Sequence, residues 1–195
     1  MTFAAGLRAI LRQDPDVVMV GEIRDAETAQ TAVQASLTGH LVLSTLHTND
    51  APGAVTRLRD MGVEPFLLAS TLRLILAQRL VRRLCPACRK PEKADAAAAR
   101  LLGVRVGTVV HRPGGCLACN HTGYVGRVGV YEAQRIDDRV RRLVGEGADE
   151  DAIRQAAFAD QPTLSAAARE LVVKGVTSIE EAVRVTRQEA ADGLV

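Results

Sequence analysis

The stretch LRQDPDVVMVGEIRD, residues 11–25, dictates more of the architecture than any other part of this chain. Pro15 and the aspartates beside it stop a helix, and Val17-Val18-Met19-Val20 then runs without a polar break. An uninterrupted, largely β-branched run bounded by turn residues predicts a strand buried on both faces, as in a parallel sheet. The run ends at Gly21, and Glu22 follows at once. Open α/β sheets bind their ligands beyond the carboxyl ends of the strands. A carboxylate there, behind a glycine that lets the backbone approach closely, is placed to polarise a water or help hold a metal ion.

What comes next has the rhythm of a βαβ unit. Asp25 reads as an N-cap with Glu27 in the first turn, opening a helix to about Thr38 that stops at Gly39. Leu41-Val42-Leu43-Ser44-Thr45-Leu46 reads as a second strand. Two strands joined by a helix should be parallel, so both end at one edge of the sheet and Glu22 shares a rim with His47. His40 lies at the other end of that strand, roughly 20 Å away at ~3.3 Å per residue. Only one of the two histidines can face the ligand rim.

The flanking chain reads as helices. Residues 2–12 carry Phe3, Leu7, Ile10 and Leu11 near helical spacing, and Asp50 with Pro52 starts a helix bearing Val55, Leu58 and Met61, closed at Gly62. A long helix is expected from Pro65 to about Leu84, with Leu68, Leu72, Ile75 and Leu76 facing the core. Its basic end, Arg79, Arg82 and Arg83, would complement the helix dipole.

Cys85-Pro-Ala-Cys88 and Cys116-Leu-Ala-Cys119 hold all four cysteines of the chain. Two residues between each pair put two sulfurs on one knuckle, and two knuckles supply a tetrahedral four-thiolate shell for zinc. Redox thiols and spare cysteines are the alternatives. The 27 residues between the pairs exceed those of a simple zinc ribbon, and His111 and His121 lie nearby as substitutes. A closed four-sulfur shell leaves no open position for catalysis, so the metal is expected to be structural. HTGYVGRVGVYE, residues 121–132, then reads as a strand or hairpin. Helical patterning resumes from Asp137, and a last helix opens on a Ser178/Glu181 capping box and continues through Val183 and Val185.

Composition excludes several classes. With 47% hydrophobic and 25% charged residues the chain is globular, and with 3% aromatics and no Trp its core must be Ala, Val and Leu. A net charge of +2 does not by itself argue for nucleic acid or a membrane. No basic head precedes a long apolar run, and the most apolar window, 66–80, is interrupted by Arg73, Gln78 and Arg79. Paired CxxC motifs fit a reducing compartment, hence a cytoplasmic protein.

Residues 11–25 resemble the Walker B signature of the type II secretion and type IV pilus assembly ATPases (general secretory pathway protein E-like), through Leu11, Arg12, Pro15, Asp16, Gly21, Glu22, Arg24 and Asp25. TGHLVLSTLHTN, residues 38–49, resembles that family's His box, and CxxC followed by GYxGRxGxxE resembles its tetracysteine lobe, which pilus-retraction relatives lack. The resemblance implies that Glu22 is the catalytic base and that a histidine of the His box senses the nucleotide γ-phosphate. By the rim argument that histidine is His47, with His40 structural or at a subunit boundary. It further implies that Arg57 and Arg127 belong to a basic cluster touching nucleotide or a neighbouring subunit. ATP, Mg2+, a homo-hexameric ring and the cytoplasmic parts of inner-membrane platform proteins are its implied cofactors and partners.

The implied fold is α/β: part of a RecA-like P-loop NTPase core, parallel strands with flanking helices (1–84), then a tetracysteine zinc lobe (85–132), then a C-terminal helical subdomain or bundle (133–195). The phosphate loop GxxxxGK[ST] occurs nowhere in the sequence, so the chain alone is expected not to hydrolyse ATP. Its absence also leaves the sheet incomplete, with unpaired edges. The alternative is a zinc-stabilised module that binds nucleic acid or protein through the arginines at 79–83.

Overall fold

A computed structural model describes residues 3–184. Helix α1 (Phe3–Leu11) leads into strand β1 (Val17–Val20), helix α2 (Ala26–Leu37) and strand β2 (Leu41–Ser44). β1 and β2 pair in parallel, Val17 opposite Leu41 and Val20 opposite Ser44, as a βαβ unit requires. Asp25 is the N-cap of α2, its carboxylate accepting from the Thr28 N–H at 2.8 Å and the Thr28 hydroxyl at 2.9 Å. Asp50 caps α3 (Ala51–Asp60) in the same way through Gly53 N–H, with Pro52 in the first turn.

Two expectations about this region are corrected. β1 is buried on one face only: Val18 and Val20 enter the core, whereas Val17 is 53% and Met19 75% exposed. On β2, Leu41 and Leu43 are exposed as well. Within the described residues β1 has one strand neighbour, β2, and the side chains of its Val17 and Met19 face stay exposed. The second correction concerns 65–84. Helix α4 (Pro65–Thr71) is short, and the chain turns extended at Leu72 and runs as strand β3 (Leu74–Leu84). The hydroxyls of Ser70 and Thr71 donate back to the Phe66 and Leu67 carbonyls, which weakens the last helical turn. Beyond it Ile75, Ala77, Arg79 and Val81 alternate with more exposed neighbours, a period of two that competes with the helical spacing. The arginines at 79–83 are therefore strand residues, and the helix-dipole account of them does not apply.

After β3 come β4 (Lys90–Lys93), α5 (Ala96–Leu102) and β5 (Val109–Arg112), with β4 and β5 antiparallel. A 3-10 turn at Leu117–Cys119 precedes the long strand β6 (Tyr124–Arg135), the neighbour of β3. Helices α6 (Asp138–Gly145), α7 (Glu150–Ala157) and α8 (Leu164–Val173) follow, and 179–184 are helical. Val185, expected in that last helix, lies outside the described residues.

The chain forms two compact units that are discontinuous in sequence, in place of three consecutive segments. One contains residues 3–76 together with Ala133–Gln161; the other contains Ala77–Glu132 and residues 162–184. The first has a core of Leu7, Val18, Val20, Val33, Val55, Leu58 and Leu68 joined by Val140, Val144 and Ile153 of α6 and α7. The helices after Asp137 thus divide between the units, because the apolar stripes of α6 and α7 are buried against the βαβ region. α8 instead packs Leu164, Ala168 and Val172 with Val81, Val110 and Val130 in the second core. Among the described residues no helix is long and apolar enough to cross a membrane.

Candidate functional site

In the first unit, parallel pairing delivers Glu22 and His47 to the same edge of the β1/β2 pair. Their side chains meet, with His47 Nε2 3.1 Å from Glu22 Oε2. Arg24 Nε donates to that same oxygen at 2.6 Å. His47 first, and then Arg24, hold the Glu22 carboxyl below its usual range, so it stands ionised on the rim. An ionised carboxylate beside an imidazole at a strand end can accept a proton from water.

His40 lies at the opposite end of β2. Its Nδ1 is 3.0 Å from the Ala35 carbonyl and 3.1 Å from the Thr38 hydroxyl, at the end of α2. That is a helix-capping position. Arg57 is exposed on α3, in the same unit as Glu22 and His47, and Arg127 is exposed on β6 in the second unit. The structure brings Glu22 and His47 together, and among the described residues of the first unit Arg57 makes no hydrogen bond or ion pair with them.

In the second unit the four cysteine sulfurs converge, all within 4.8 Å of one another. Cys85–Cys116, Cys88–Cys119 and Cys116–Cys119 are 3.9, 3.8 and 3.7 Å apart. A tetrahedron with metal–sulfur bonds of ~2.3 Å has edges of about 3.8 Å, which matches these three separations, so the cluster suits one metal ion. Peptide N–H groups point at two of the sulfurs: Gly115 donates to Cys88 Sγ, and Cys116 and Gly123 donate to Cys119 Sγ, each at 3.2 Å. Burial raises both of these thiols. It wins at Cys88, which is pushed up to about 11, whereas the two N–H donors pull Cys119 down to about 6. His111 and His121 are not in the cluster; His111 is on β5, and His121 is exposed beyond the 3-10 turn. Gly114 can only be glycine, because a Cβ there would drive into the Cys88 carbonyl.

Two further residues have contacts that short-range sequence rules do not give. Thr45 Oγ1 donates to the Gly21 carbonyl at 2.7 Å, across the pair of strand ends. Glu181, buried, is held by Arg82 and Arg184 and leaves the expected capping box half made. Glu181 N–H reaches Ser178 Oγ at 3.4 Å, but the Glu181 carboxylate turns to Arg82. The only hint of such pairings is an acidic residue in an otherwise apolar helical stripe.

The pilus retraction motor PilT, solved with bound ADP, superimposes with a TM-score of 0.67 at 28% identity, over 94% of this chain and 43% of PilT. The Legionella pneumophila ATPase DotB shares the fold at 24% identity and a TM-score of 0.67, over 96% of this chain and 42% of DotB. The class is thus an α/β protein of ATPase-like fold, with an acid–imidazole pair at its strand rim and a four-cysteine cluster. The profile of the Type II/IV secretion system protein family matches residues 1–184. Type II secretion system protein E of Klebsiella pneumoniae is 58% identical over 192 residues, 98% of this chain and 39% of that protein. Type II secretion system ATPase E of Vibrio cholerae is 56% identical over 190 residues, 96% of this chain and 38% of that protein. The chain belongs to the type II/IV secretion system protein family, as the resemblance of its Walker B-like and His-box-like stretches implies. It spans about two fifths of the length of these relatives.

Proposed function

We propose that this chain is part of a motor ATPase that powers type II protein secretion or type IV pilus assembly. The observation that carries the reading is the 3.1 Å approach of His47 to Glu22 at one rim of a parallel strand pair. Glu22 is the general base that polarises the attacking water, and His47 reads the γ-phosphate. Arg57 and Arg127 stabilise the charge that develops during phosphoryl transfer. ATP with Mg2+ is the substrate, and hydrolysis moves the subunits of a homo-hexameric ring against one another. That motion acts on the cytoplasmic parts of inner-membrane platform proteins, so the protein works in the cytoplasm at the membrane surface.

Cys85, Cys88, Cys116 and Cys119 hold one structural Zn2+, whose role is to cross-link the two knuckles through a closed tetrahedral shell. The near-tetrahedral sulfur spacing and the N–H donors to sulfur support this assignment. Metal analysis should find one zinc per chain; four free thiols in the folded protein would refute it.

Glu22→Gln in a complete protein carrying a phosphate loop should lower turnover by about 100-fold or more while nucleotide still binds, since general-base catalysis contributes roughly 10²–10⁴-fold. Unchanged turnover would remove Glu22 as the base. The 195-residue chain alone, with no GxxxxGK[ST] to cradle phosphates, should show no ATPase activity above background.

A further inference from the structure

The β1/β2 ladder ends at Val20 opposite Ser44, one residue before Gly21 and two before Glu22. Glu22 and His47 thus stand on segments that the regular ladder no longer fixes. The His47 side chain is 78% exposed, so packing does not fix it, and the Glu22 side chain is partly covered at 26% exposure. Arg24 Nε ties the Glu22 carboxylate at 2.6 Å, but the main chain that carries the glutamate needs its own anchor.

We infer that Thr45 is a positioning residue for Glu22: it grips the main chain on both sides of the glutamate and so aims the carboxylate at His47. Its hydroxyl donates to the Gly21 carbonyl at 2.7 Å, immediately before Glu22. Its carbonyl accepts from the Ile23 N–H at 3.0 Å, immediately after Glu22. One residue therefore spans the glutamate like a bracket, with a side-chain bond on one side and a peptide bond's carbonyl on the other. The same residue is two positions before His47, so base and imidazole are both referenced to it. A β-branched side chain suits the task, because χ1 of threonine is stiff and the hydroxyl stays aimed. Serine would supply the donor with less rigidity, and valine would keep the shape and lose the donor. Thr45 is exposed, so neither change disturbs the core.

The inference rests on the reading of Glu22 as the base, but its test is independent of turnover. Thr45→Val and Thr45→Ser are made in the 195-residue chain, loaded with zinc, and folding is checked by amide dispersion in the NMR spectrum. Glu22 is followed by titration of its carboxyl carbon and by the proton contact between its side chain and the His47 ring. Thr45→Val should raise the Glu22 midpoint toward the ordinary carboxylate value, because the carboxylate drifts from His47, and should abolish the contact. Thr45→Ser should restore both. A Thr45→Val chain whose Glu22 titrates and contacts His47 as in the wild type overturns the inference. A serine variant that behaves like valine overturns it too, since the hydroxyl would then be irrelevant. In a complete, ATP-hydrolysing protein the valine change should lower kcat about 10- to 100-fold with little change in KM, the signature of a misplaced catalytic group. If Glu22→Gln leaves turnover intact in that protein, the base assignment fails, while the spectroscopic comparison still decides the role of Thr45.

Discussion

Glu181→Gln should cost the second unit about 3 kcal/mol at neutral pH, and the structure supplies the arithmetic. Glu181 is 1% exposed, yet its carboxylate accepts from the Arg82 peptide N–H at 2.8 Å, Arg82 Nη2 at 2.8 Å and Arg184 Nη2 at 3.1 Å. Burial alone would raise its pKa; the bonds from Arg82 and then Arg184 outweigh burial and bring it from 4.5 down to about 2. At about 1.4 kcal/mol per pH unit, that difference corresponds to about 3 kcal/mol of folding free energy. Because the folded value is depressed, the contribution is fully present above about 4.5. It is lost as pH falls from there toward 2. Glutamine keeps the shape, abolishes the charge and sets an amide NH2 against the Arg82 donors. The chain has no Trp, and its two tyrosines, Tyr124 and Tyr131, both lie on β6. Arg82 stacks over the Tyr124 ring at 4.1 Å, so tyrosine fluorescence reports this locus directly. Urea titrations of wild type and variant should differ by about 3 kcal/mol at pH 7, narrowing to about 2 kcal/mol by pH 3.5. An Arg82→Gln/Glu181→Gln cycle should reveal strong coupling. Equal urea midpoints at pH 7, or a gap that does not shrink with acid, would refute the reasoning.

Gly114→Ala should abolish zinc retention, because its methyl group would collide with the Cys88 carbonyl and spread the knuckles; competition with a chromophoric chelator measures it. Asp50→Ala removes both the N-cap of α3 and the Arg154 partner at 2.5 Å, and should destabilise the first unit by about 2 kcal/mol in urea titrations followed by circular dichroism.

The parts legible in the sequence were those written in short-range rules. Asp25 and Asp50 announced helix starts because a cap is a contact across three residues, and both accept the expected N–H. The meeting of Glu22 with His47 followed from handedness and parallel pairing alone, since a βαβ unit returns its second strand in the direction of the first. The paired CxxC spacing foretold a sulfur cluster, because a two-residue gap is a local constraint and four cysteines leave few arrangements. Residues 72–84 are ambiguous in sequence, because Leu72, Ile75 and Leu76 satisfy a helix while Ile75, Ala77 and Val81 satisfy a strand. The tie is broken by pairing with β6, some fifty residues away. The helix-dipole role expected for Arg82 fails for the same reason, as its carboxylate partner is Glu181, near the end of the chain.

The half-exposed β1 clarifies what a hydrophobic run encodes. Val17, Met19, Leu41 and Leu43 have the character of residues buried on both faces, yet within the described residues only the Val18 and Val20 face is covered. The rim geometry does not depend on cover over the Val17 and Met19 face. Glu22 and His47 meet through backbone pairing and the Thr45 bracket, both supplied by residues 17–47 themselves. Chemistry at the rim and cover for the sheet are separable properties. Perturbing the exposed face, for example Met19→Gln, should leave the Glu22–His47 contact in place, and loss of that contact in a folded Met19→Gln chain would show that the two are linked.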